Sequence, residues 1–211
     1  MTGTKLEIFK VAVDLFSRNG YASVGIRDIA EAAGMKSSNI YNHFKNKDAL
    51  LETMFTLYRN RHMECYPSLE EVLAKVPTTR PRKLLSEMRA SFGKDDELFA
   101  KIGLIAMEER DRDPRAESLM FEIYSSQPRR YLCAVLSKMI AMEIIEPLNI
   151  DAFVSIVTSF NFFSAARIGG KYIMSSSEWT AGYELMLNMI REKDQKFEPA
   201  KSCDTMGRMP N

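Results

Sequence analysis

Apolar residues recur along most of the chain at spacings of three and four, the mark of helices with one buried face, and period-two alternation is nearly absent. Leu6, Phe9, Val13 and Phe16 form one stripe, which Ile8, Val11, Ala12 and Leu15 widen. The pattern predicts a helix over 4–18, packed on several sides and stopped at Asn19-Gly20. Short helices are predicted over 26–33, ended by Gly34, and over 37–44. Asn46 is a candidate cap for a longer helix that carries Leu50, Leu51, Met54, Phe55 and Tyr58 and ends near Cys65, before Pro67.

All 8 prolines lie at Pro67 or beyond, which places a boundary near 60–67. Further helices are expected over 81–92 and 96–109, then, after a charged loop, over 114–142 with a kink or break at Pro128. Asn149 caps a very apolar helix over 150–168, ended by Gly169-Gly170, and a last helix spans 179–191. The expected fold class is all-α, about nine helices, with an N-terminal domain over 2–62, a C-terminal helical domain over 63–193 and a flexible tail over 194–211.

Between Gly25 and Lys47 two helices of about eight residues flank a short turn, the length pattern of a helix-turn-helix at about 25–44. Ala30 is small where helices cross, Gly34 suits a turn that needs positive φ, and Ile40 and Phe44 give the second helix a buried side. Opposite them lie Ser38, Asn42 and Lys45, flanked by Asn39, Tyr41 and His43. These are hydrogen-bonding groups of the kind that read base edges in a major groove.

Charge supports that reading only locally. The chain's formal net charge is +1 over 211 residues, which excludes a wholly basic coat protein for nucleic acid. Yet residues 1–47 hold seven basic and four acidic side chains, and none from Lys36 to Lys47 is acidic. No apolar run reaches the roughly 18–20 residues of a membrane helix, and residues 1–10 lack the apolar core of a signal peptide. The 3 cysteines are odd in number and widely spaced, as expected of reduced thiols. The expected location is the cytoplasm, with no membrane partner.

The first 62 residues resemble the DNA-binding domain of the TetR family of bacterial transcriptional repressors. The likeness rests on Ala12, Leu15-Phe16, Gly20-Tyr21, Ile29-Ala30, Ala33-Gly34-Met35 and above all Tyr41-x-His43-Phe44-x-x-Lys47 followed by Leu50. It implies an all-helical homodimer that binds double-stranded operator DNA and is released by a small molecule. Two positions depart from the family: Gly25 and Lys36 stand where a hydroxyl residue usually caps each helix of the motif. The resemblance implies Tyr41 and Lys47 as phosphate contacts and Lys36, Ser37, Ser38, Asn39 and Asn42 as base-facing. Gly25, Arg27 and His43 complete the candidate DNA contacts, and His43 has a second reading as a group packed on the first helix.

In the C-terminal half, Ile156, Phe160, Phe163, Tyr183, Met186, Leu187 and Ile190 are candidates for a two-fold interface, with an intramolecular core as the alternative. Phe55, Tyr58, Met107, Phe121, Tyr124 and Phe162 are candidates to line a pocket for a small apolar or aromatic effector. Arg167 is the main cation on an otherwise apolar helix there. No cofactor, metal site or catalytic residue is expected. The rival classes are an all-α enzyme or metal-binding helical protein and a helical protein–protein adaptor. Against the first, the acids Glu108, Glu109, Asp111 and Asp113 alternate with arginines like a solvated charge run, and His62-x-x-Cys65 falls short of a metal-ligand set.

Overall fold

The computed structural model describes residues 1–90, 97–165, 167–168, 171–172 and 175–193. Helix α1 (Gly3–Asn19) buries Ile8, Phe9, Ala12, Val13 and Phe16, the predicted stripe. It stops where Gly20, at φ 79°, donates its N–H to the Phe16 carbonyl. Helix α2 (Ile26–Ala32) and helix α3 (Ser37–Tyr41) follow, with Gly34 at φ 64° in the turn between them. That left-handed φ costs little only for glycine. Helix α3 is shorter than its pattern suggests: Asn42 and His43 form a closing turn, and Phe44 then drops back into the core. Asn46 caps α4 (Lys47–Cys65) by accepting from the Ala49 N–H at 2.8 Å.

A helix absent from the apolar reading, α5 (Leu69–Lys75), comes next. Its signal is a capping box, in which Ser68 accepts from the Glu71 N–H and Glu71 accepts from the Ser68 N–H. It is only two turns long and buries a single valine, Val72, so hydrophobic periodicity does not reveal it. Helices α6 (Pro81–Ala90) and α7 (Glu97–Glu109) lie within the predicted spans.

The long segment after Asp113 is split, as Pro128 requires. Helix α8 (Pro114–Phe121) passes into a π-helical turn (Glu122–Ser126) and then α9 (Gln127–Ala141). Proline has no N–H for the carbonyl four residues back, and the widened turn ends just before it. Helix α10 (Ile150–Ala165) is shorter than expected. Arg167–Ile168 (β1) and Lys171–Tyr172 (β2) instead make a two-residue antiparallel pair. Helix α11 (Ser176–Leu187) starts earlier than its apolar pattern, because Ser175 and Glu178 form a second capping box. The expected tail over 194–211 and the side chain of Arg167 lie outside the described residues.

Two hydrophobic clusters hold these helices together. The first joins α1 to α4 with α7, α8 and the π-helical turn, through residues such as Phe16, Met54, Ile102, Ile105, Leu119 and Ile123. The second joins α5, α6, α9, α10 and α11. The helix-turn-helix therefore shares one continuous core with the middle of the chain, and the expected boundary at 62/63 falls inside α4. Gly103 on α7 makes that packing possible. A Cβ there would stand 2.6 Å from the Tyr58 hydroxyl of α4, so only glycine admits the buried tyrosine.

Candidate nucleic-acid interface and effector cleft

Ile40 and Phe44 are buried, which orients α3 so that its other side meets solvent. Ser38, Asn39, Tyr41, Asn42, His43 and Lys45 are all exposed, as are Arg27 and Lys36; Ser37 is half-buried. Tyr41, at 55% exposure, is a large aromatic left outside the core. His43 is also exposed, outside the core that Ile40 and Phe44 enter. At the start of α2 the Gly25 N–H donates to the Asp28 carboxylate at 2.6 Å. One backbone donor that a bare helix end would offer to a phosphate is thus already engaged by the chain itself.

Lys47 has a structural task that the sequence does not reveal. Its ammonium donates to the carbonyls of Tyr21 and Val24, both at 2.9 Å, and lies 4.2 Å from the centre of the Tyr21 ring. It ties the loop before α2 to the first turn of α4. Tyr21 in turn packs edge-on to Phe16 at 5.1 Å. Burial raises the Tyr21 phenol above its ordinary value, and the nearby Asp48, Asp113 and Glu109 carboxylates push the same way against Arg115.

The acids read as a solvated charge run are a paired set with one buried member. Glu109 is 7% exposed, and Asp111 pairs with Arg110. Arg115 grips Asp113 on its own loop and Asp48 on α4. The Arg115 hydrogen bond holds the Asp113 carboxyl below the usual carboxylate range. Lys101 of α7 reaches Asp14 of α1 at 2.8 Å, a second tie between the helix-turn-helix region and the rest. His62, on α4, is buried and packs edge-on to Tyr58, with ring centres 4.4 Å apart.

An open cleft of about 520 Å³ lies between α8, the π-helical turn and α10. Of the six pocket candidates, Phe121, Tyr124 and Phe162 line it. Phe55 and Tyr58 belong instead to the core below, where they are 5% and 2% exposed, and Met107 packs against that core. Tyr58 still connects to the cleft, because its hydroxyl lies 3.3 Å from that of Tyr124. Arg110 was missed as a lining group because its sequence neighbourhood suggests a surface loop. Its guanidinium lies 5.5 Å from the centre of the Phe162 ring.

The dimer candidates divide sharply. Tyr183, Met186, Leu187 and Ile190 are buried within the chain's own second cluster, so the apolar face of α11 closes this chain's core rather than facing outward. Phe160 is half-buried, its ring seated against Gly182. Ile156 and Phe163 remain exposed on α10, at 46% and 59%, together with Leu185 on α11, at 69%, and Met189 in the turn after it, at 52%. Leu185 and Met189 were missed because apolar residues fall on more than one side of the segment 183–190, and periodicity does not say which side the core takes. Among the described residues, no helix is long and apolar enough to cross a membrane.

Residues 8–54 match the family described as bacterial regulatory proteins, tetR family. The uncharacterized HTH-type transcriptional regulator YerO of Bacillus subtilis is 33% identical over 87 residues, 41% of this chain and 29% of that protein. The HTH-type transcriptional repressor KstR2 of Rhodococcus jostii is 35% identical over 51 residues, 24% of this chain and 25% of that protein. These matches therefore span only 25–29% of the length of those relatives. The fold extends much further. The ketosteroid transcriptional regulator KstR2 of Mycobacterium tuberculosis superimposes with a TM-score of 0.63 at 20% identity, over 92% of this chain and 97% of that one. The TetR family transcriptional regulator PfmR of Thermus thermophilus gives 0.63 at 15% identity, over 93% and 100%.

Proposed function

We propose that the chain, whose residues 8–54 match the family of bacterial regulatory proteins, tetR family, is a sequence-specific DNA-binding repressor, not an enzyme. The observation that carries this reading is the exposed polar side of α3. Ser38, Asn39, Tyr41, Asn42 and Lys45 face solvent on a turn-and-helix unit anchored by Ile40 and Phe44, with no acid between Lys36 and Lys47. Asn39 and Asn42 suit base edges; Lys36, Lys45 and Arg27 suit phosphates. Such a protein acts where the genome is, in the cytoplasm of a bacterial cell.

Two copies related by a two-fold axis would pair through Ile156, Leu185 and Met189, apolar side chains left exposed on α10, on α11 and in the turn after α11. Their recognition helices would then enter successive major grooves, about 34–36 Å apart. A small apolar or aromatic effector would bind the cleft under α8 and α10. It would release DNA by binding more tightly to a conformation in which the recognition helices no longer match that spacing.

The experiment is selection from a random DNA library, followed by titration of the selected duplex and a scrambled one at several salt concentrations. The reading requires a two-fold symmetric selected site and affinity that falls steeply with salt on both duplexes. Failure to enrich any sequence, or affinity indifferent to salt, would overturn it.

A further inference from the structure

We propose that the cleft selects an organic anion: an aromatic body held by Phe121, Phe162 and Phe163, with its carboxylate or sulfonate on Arg110. The inference rests on the cleft being the effector site and adds the charge that the effector carries.

The geometry of Arg110 is the reason. Its guanidinium lies over Phe162, so the ring covers part of its surface and its N–H groups are what remain for partners. Asp111 takes Nε at 2.9 Å and Nη2 at 3.2 Å. Nη1 faces the Met107 sulfur at 3.7 Å, a weak acceptor. A cation on a cleft wall therefore keeps one donor against a thioether, where an oxyanion forms a charge-assisted hydrogen bond instead. Asp111 is 79% exposed, so water screens its claim on the same group.

The rest of the lining sets the orientation. Phe121 and Phe163 are exposed at 64% and 59%, an apolar mouth that a flat ring system covers. Phe162 meets Tyr124 edge-on at 6.1 Å and Phe163 at 6.2 Å, so the three rings form one aromatic wall. Glu117, on the same lining, repels an anion held close to it. A cleft of about 520 Å³ is of the size that takes a drug-sized molecule.

Two fluorescent probes that share an anilinonaphthalene body and differ by one sulfonate group test this on the full chain: 8-anilinonaphthalene-1-sulfonate and neutral N-phenyl-1-naphthylamine. In the unaltered protein the sulfonate should bind about tenfold more tightly than the neutral probe. Arg110→Gln should bring that ratio close to one while leaving the neutral probe within about twofold, and Glu117→Gln should widen it. Thermal melting of both variants checks folding, and Arg110→Lys, which keeps the charge, should retain part of the preference. A ratio unchanged by Arg110→Gln overturns the inference while leaving the cleft as a site. If Phe162→Ala alters the binding of neither probe, the cleft itself is wrong, and both the effector reading and this inference fall.

Discussion

The guanidinium of Arg115, in the first turn of α8, meets both carboxylate oxygens of Asp48, in the first turn of α4, with Nη1–Oδ2 at 3.1 Å and Nη2–Oδ1 at 2.5 Å. Asp48 adjoins Lys47, which pins the loop before α2. Helix α8 also supplies Glu117, Ser118 and Phe121 to the cleft. One bidentate ion pair therefore joins the helix that lines the cleft to the residue beside the anchor of the helix-turn-helix. A pair this exposed contributes little to stability, under about 1 kcal/mol. Its expected effect is on coupling. Arg115→Gln should leave effector affinity within twofold but reduce the effector-induced loss of DNA affinity, which for a switch of this kind is about 1–3 kcal/mol. Operator titrations with and without effector measure it, and undiminished coupling would count against the pair as a link.

Lys47→Ala should destabilise the protein by about 1–3 kcal/mol, because it leaves two partly buried carbonyls without their charged donor. Denaturant titration reads the loss as a lower midpoint at an unchanged slope. Base preference should not change, since the ammonium holds the backbone loop rather than a base edge.

Asn42→Ala should act in the opposite way. Its side chain is exposed beyond α3, so stability should shift by less than about 0.5 kcal/mol. Discrimination at one base pair should fall by about 1–3 kcal/mol, read from binding to single-substituted operators. A uniform loss across all operators would assign Asn42 to the phosphate backbone.

Gly103→Ala should cost about 1–3 kcal/mol through overpacking, since the new methyl meets the Tyr58 hydroxyl at 2.6 Å and that ring is 2% exposed. Pairing it with Tyr58→Phe removes the nearest atom and should recover part of the loss. A double-mutant cycle measured by thermal unfolding tests this, and strict additivity would contradict the contact.

Acid should weaken the tie between α1 and α7. The Lys101 hydrogen bond holds the Asp14 carboxyl below the ordinary aspartate range, with burial opposing it. A carboxyl that is more acidic folded than unfolded stabilises the fold fully above the ordinary aspartate pKa, about 3.9, and loses that contribution as pH falls through its folded value. Lys101→Met should therefore be less stable than the unaltered protein by a constant amount from pH 5 to 7.5. The difference should shrink below about pH 4. Denaturation midpoints of both proteins from neutral pH into the acid range measure it; a gap that did not shrink at all as pH fell would show that the ion pair is not its source.

Helical periodicity was enough to place α1, the turn at Gly34, the buried pair Ile40 and Phe44, and the polar side of α3, because each depends on neighbours within a few residues. The Asn46 cap was legible for the same reason. The two Ser-x-x-Glu boxes at Ser68 and Ser175 were equally local, but they begin segments whose starts the apolar pattern does not mark, so α5 and the first turn of α11 escaped it. Tertiary structure alone decided which side of α11 the core would take. Tyr183 and Met186 turn inward and Leu185 outward, and Gly182 lets the Phe160 ring approach that helix, a contact between residues 22 apart in the chain. It likewise took Arg110 from a charged loop to the cleft wall over Phe162, and it turned Lys47 from a surface cation into the anchor of the loop carrying Tyr21 and Val24. A pattern along one helix records which residues avoid water, but the partner that a side chain finds across the fold depends on geometry the chain acquires only when the helices pack.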